Sequence, residues 1–102
     1  MAMNSRTFLD VDPRTLHLPT SRRCGADPYK LQRQIARHGS SILGMQALEV
    51  SRGSDGELVL NNGVTRATRV AKLLPGVSVR VEVIDDLPIP FGGYPKVGDV
   101  LR

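Results

Sequence analysis

From Val77 to Val83 apolar and polar residues alternate without a break. Val77, Val79, Val81 and Val83 face one way, and Ser78, Arg80 and Glu82 the other. Period-two alternation predicts a strand with one packed and one wetter face. Two further apolar stretches, "MQALEVSR" and "GELVL", flank the turn residues Gly53-Ser54-Asp55-Gly56 and predict a hairpin. "TFLDV" near the start predicts a short first strand. "TLHL" extends it or re-enters a strand after the turn at Asp12-Pro13.

Helical spacing appears twice. Asp27-Pro28 combines a capping carboxylate with proline at the first helical position, and Gly39 supplies a stop. Between them Leu31 and Ile35 lie one turn apart. The second helix is expected over 64–74, with Val64, Ala67, Val70, Ala71 and Leu74 on one buried face. Arg66, Arg69 and Lys72 recur every third residue, which places them along a neighbouring flank. Pro75-Gly76 ends it. The order strand, helix, hairpin, helix, strand predicts an α+β domain, with helices packed on a small mixed sheet. Residues 1–86 form this domain. Residues 87–102, rich in Pro and Gly, are expected as a tail laid over it, anchored by Phe91 and Tyr94.

Composition narrows the picture. A chain of 102 residues without Trp must build one small core from aliphatic side chains. No apolar run approaches a membrane span, and no charged start followed by a long apolar stretch suggests a secretory signal. The single cysteine, Cys24, forms no internal disulfide and fits a reducing cytoplasm. With no second cysteine or adjacent histidine it reads as an incidental loop thiol. His17 and His38 make no metal pattern, so no metal site is expected from the protein's own ligands. The net charge of +4 comes from the first 38 residues, where seven basic side chains face three aspartates. Such an excess suits nucleic acid or nucleotide, and equally a solvated surface.

The candidate chemistry sits where the second hairpin strand meets the second helix. Asn62-Gly63 turns the chain there, and a glycine ahead of a helix lets phosphate approach unpaired amides. Thr65 and Thr68 supply hydroxyls, while Arg66 and Arg69 supply charge in a geometry suited to phosphate. The plain alternative is an ordinary connection, with Arg66 exposed and paired to Glu49 or Glu57. Gln46 is a candidate contact for a base or sugar, or simply an exposed strand residue. Arg22 and Arg23, in the loop "SRRCG", either close over phosphates or keep the loop soluble.

The stretch from Val11 to Asp86 resembles the ParB N-terminal domain and sulfiredoxin superfamily. Three features carry the resemblance in order: a helix ending "QIARHG", the box-like "GMQALEV", and "ELVLNNGVTRATRVAKLLPGVSVRVEVID". An inserted "SSIL" departs from the family pattern. The resemblance implies a nucleoside triphosphate, with Mg²⁺, held at the helix start by Gly63 and Arg66. Val64 falls where ParB-type CTPases have glutamate and sulfiredoxins their reactive cysteine, and Thr65 where they have arginine or histidine. Valine neither positions water nor attacks sulfur, which argues against both reactions. The helix-turn-helix and dimerisation regions of chromosome-partitioning relatives have no counterpart here. Three functions therefore stay open: a stand-alone domain binding a nucleotide or other phosphate ligand; a ParB-like DNA nuclease or defence effector; and a non-catalytic interaction module, with self-association through Phe91 and Tyr94.

Overall fold

The computed structural model describes residues 6–101. Its elements are β1 (Thr7–Val11), α1 (Pro28–His38), β2 (Leu48–Arg52), β3 (Leu58–Leu60), α2 (Val64–Leu73) and β4 (Val79–Asp86), with three short 3₁₀ turns. The strands form one mixed sheet in the order β1-β4-β2-β3. β4 runs antiparallel to β1 and parallel to β2, while β2 and β3 form the antiparallel hairpin. The α+β class and the small mixed sheet follow the alternation and the helical spacing.

The valine run acts as expected but starts later. Val77 donates its N–H to Leu74 O in the turn after α2, so the strand begins at Val79. Val79 and Val81 then join Leu48, Val50 and Leu60 in the core, with Ala67, Val70 and Ala71 of α2 packed against them. Burying such side chains contributes roughly 1.5–3 kcal/mol each before conformational entropy is subtracted. α1 begins as read: the Asp27 carboxylate accepts from Tyr29 N and Lys30 N, and Pro28 occupies the first turn. At its end Gly39 (φ 54°) donates its N–H to Ile35 O.

"TLHL" re-enters the sheet region rather than extending β1. His17 bridges in parallel to Val59 and antiparallel to Lys96, so Leu16–Leu18 lies between β3 and the chain's final segment. Leu16, His17 and Leu18 are all buried. In the final segment Phe91 is buried against the hairpin turn, edge-on to Tyr94 at 5.4 Å between ring centroids. Among the described residues no helix is long and apolar enough to cross a membrane.

Helical spacing misplaces one cation. Arg69 does not line an exposed flank with Arg66 and Lys72. It is 2% exposed, because α1 and the connector through Gly39, Ser41 and Met45 pack over that flank of the helix. Thr68 is buried as well.

Candidate functional site

The chain turns on Asn61-Asn62-Gly63 because hydrogen bonds to Glu49 and Ser51 tie that turn to β2. Asn61 N donates to Glu49 O at 2.8 Å, Asn62 Nδ2 to Glu49 Oε1 at 2.6 Å, and Glu49 N to Asn62 Oδ1 at 3.1 Å. Gly63 then takes φ 82°, ψ 21°, in the left-handed region that suits glycine. The chain leaves β3 pinned and enters α2 at a set angle.

Among the described residues no side chain caps α2. Its first helical bond runs from Ala67 N to Gly63 O, which leaves the N–H groups of Val64, Thr65 and Arg66 without an intrahelical acceptor. These three residues line a cavity of about 320 Å³, together with Arg22, Gln34 and Asn61. Among the described residues its wall contains no carboxylate. Partial positive charge at the helix start and two guanidinium groups therefore act on the same space.

Arg66 is not paired with Glu49 or Glu57. Glu49 is engaged by Asn62, and Glu57 by His17 at 2.7 Å. Arg66 Nη1 instead donates to the main-chain oxygen of Gln46 at 3.1 Å, which folds the guanidinium back beside Gly63. Gln46 precedes β2 rather than lying within it. Its side chain is exposed, beside a second cavity of about 220 Å³ that Arg66 and Arg69 also line. Thr65 reaches the first cavity, whereas the Thr68 hydroxyl donates back to Val64 O at 2.7 Å and offers nothing outward. Arg22 borders the first cavity. Arg23 does not; it lines a neighbouring hollow with Cys24 and Lys72.

The sequence reading missed Gln34. It lies on α1 facing α2, borders both cavities, and its Oε1 is buried without a hydrogen-bond partner. Its position three residues after Leu31, on the inward flank, was the available signal.

The basic excess is arranged differently from its order in sequence. Arg6 and Arg14 pair with Glu82 and Asp12, and Arg52 and Arg80 with Asp86 and Asp10. Segments 19–47 and 61–78, which carry α1, α2 and their loops, hold eight cations against Asp27 alone. Among the described residues none of these eight forms an ion pair. Sheet strands and final segment hold most of the acidic residues, and the positive charge gathers on the helical side.

Mg²⁺ finds no carboxylate ligands at this place. Asp55 accepts from Phe91 N, Gly92 N and Glu57 N, and Asp86 is bound to Arg52. Among the described residues no three His, Cys, Asp or Glu side chains converge. The donors at the start of α2 fit an anion, not a metal ion.

No protein-family model matches this chain, and no curated protein matches it either.

Proposed function

We propose that this chain is a ParB/sulfiredoxin-like domain that binds a phosphate group, free or carried by a nucleotide, at the start of α2. One observation carries the reading: Val64, Thr65 and Arg66, whose N–H groups lack an intrahelical acceptor, line a cavity with Arg22 that has no carboxylate among its described residues. Gly63, Thr65 and Arg66 form the cradle, and Arg22 closes it from the opposite loop. Amide donors and guanidinium groups together suit phosphate oxygens better than either alone. Val64 supplies no acid, base or nucleophile, so the activity proposed is binding rather than turnover. The test is a titration of ¹⁵N-labelled protein with inorganic phosphate, CTP, ATP, GTP and AMP, each with and without Mg²⁺. The Val64, Thr65 and Arg66 amide signals should move with at least one of them. Signals that stay fixed at millimolar ligand would remove the proposal.

A second reading is favoured by the charge segregation. Lys30, Arg33 and Arg37 are exposed on α1 and unpaired among the described residues, a surface that suits a nucleic-acid backbone. Duplex DNA titrated at graded salt should bind with a slope of about −0.9 per phosphate neutralised, reduced in an Arg33→Glu/Arg37→Glu variant. Plasmid incubated with divalent metal tests the nuclease form of this reading. Intact plasmid and salt-insensitive or absent binding would eliminate it.

A further inference from the structure

The two margins of the sheet are treated differently by the fold. β3, at one margin, is covered: His17 bridges to Val59, and the same residue bridges to Lys96 of the final segment. β1, at the other, pairs with β4 through five consecutive residues and, among the described residues, with no strand on its far side. Unpaired N–H and C=O groups along an edge strand are a template for another strand, and proteins guard against this with proline, a bulge or repelling charge. β1, "TFLDV", has neither proline nor bulge.

Phe8 and Leu9 are adjacent in β1, so their side chains stand on opposite faces of the sheet. Both are exposed, at 39% and 37%. A partner lying on one face covers only one of them, whereas a strand added in the plane of the sheet flanks both. The charges select which strand. Arg6, Phe8 and Asp10 alternate onto a single face. Antiparallel pairing of β1 with its own copy about Phe8 sets the two Phe8 rings side by side. It also sets Arg6 of each copy opposite Asp10 of the other, twice over by symmetry. Both groups have capacity for this. Arg6 gives Nε and Nη2 to Glu82, which leaves Nη1, and Asp10 meets Arg80 only at 3.9 Å. Asp12, the next acid along, is already held by Arg14 at 2.6 Å.

We propose that β1 is a self-association edge, at which two copies of this chain pair antiparallel about Phe8 and join two four-stranded sheets into one. Main-chain hydrogen bonds supply the attraction, and the two arginine–aspartate pairs set the register. The inference is independent of the phosphate reading, whose residues lie at the start of α2.

Sedimentation of the full chain from about ten micromolar to about one millimolar, the range of a small interface, should show a concentration-dependent dimer. Amide hydrogen exchange over the same range locates it. Alternate N–H groups of β1 point towards β4 and away from it. Those pointing away should gain protection with concentration, while the Phe91–Tyr94 amides stay unchanged. Arg6→Asp and Asp10→Arg each set like charges opposite one another and should weaken self-association about tenfold or more. Mixed in equal amounts, the two variants should associate with each other, because each supplies the charge that the other lacks. Should either variant fail to fold, the wild-type exchange pattern still decides. A monomer across the whole range would overturn the proposal, whether its outward β1 amides are open or already protected by the chain itself. So would a dimer in which those amides exchange as fast as in the monomer, or two folded variants that associate no better mixed than alone.

Discussion

The Arg66 guanidinium lies against Gly63 so closely that an added Cβ on Gly63 would stand 3.0 Å from Arg66 Nη2. The same atom would meet Leu48 Cδ2 at 2.5 Å. Glycine at this position thus serves three ends: the left-handed backbone, the packing of Leu48, and space for the guanidinium beside the helix start. Gly63→Ala should destabilise the fold by about 1–3 kcal/mol and push Arg66 aside. Urea denaturation measures the first effect, and loss of phosphate-induced amide shifts the second.

Arg66→Ala separates binding from stability. Arg66 is half-buried and, among the described residues, its side chain makes one hydrogen bond, to Gln46 O. Stability should fall by no more than about 1 kcal/mol. Phosphate affinity should fall by about 1.5–3 kcal/mol, the worth of a charge-assisted contact, and Arg66→Lys should restore only part of it. Calorimetric titration beside urea denaturation checks both halves.

Asp55 ties the final segment to the hairpin turn. Its carboxylate accepts from Gly92 N at 2.8 Å, Glu57 N at 3.1 Å and Phe91 N at 3.2 Å. Desolvation works against the charged form, but these N–H groups prevail and hold the carboxyl below its ordinary value of 3.8. Because the folded value is the lower one, this stabilisation is complete above 3.8 and is lost as pH falls through the folded value. Asp12, Glu82 and Asp86, held down by hydrogen bonds from Arg14, Arg6 and Arg52, follow the same sign. Acidification should therefore expose the Phe91 and Gly92 amides to exchange. Asp55→Asn should expose them at neutral pH and flatten the dependence.

His17 holds three segments together from inside. Nδ1 lies 2.8 Å from Tyr94 O, which can only accept, and Nε2 lies 2.7 Å from Glu57 Oε1. Its own N–H and C=O bond Leu58 O and Leu60 N of β3. His17→Ala leaves a void and an unpaired carbonyl, and should cost about 2–4 kcal/mol by urea denaturation. The Tyr94 signals should change with it, while the Val64–Arg66 amides stay in place.

Much of the fold follows from short-range rules that one sequence expresses directly. Alternating valines specify a two-faced strand, Asp27-Pro28 and Gly39 bound α1, and Gly63 marks the turn into α2. Each depends on residues a few positions apart. The position of "TLHL" does not, because its bridges run to Val59 and Lys96, far along the chain. Nor does the inward turn of Arg69: helical spacing put it on a flank, and only the packing of α1 and its connector over α2 buried that flank. Charge behaved likewise. The composition dictates a surplus of cations, but Glu82 neutralises Arg6 across the sheet and Asp12 neutralises Arg14 locally, which leaves the surplus on the helices. Local geometry is written in neighbouring residues; burial and pairing depend on which distant segments the closed fold brings together.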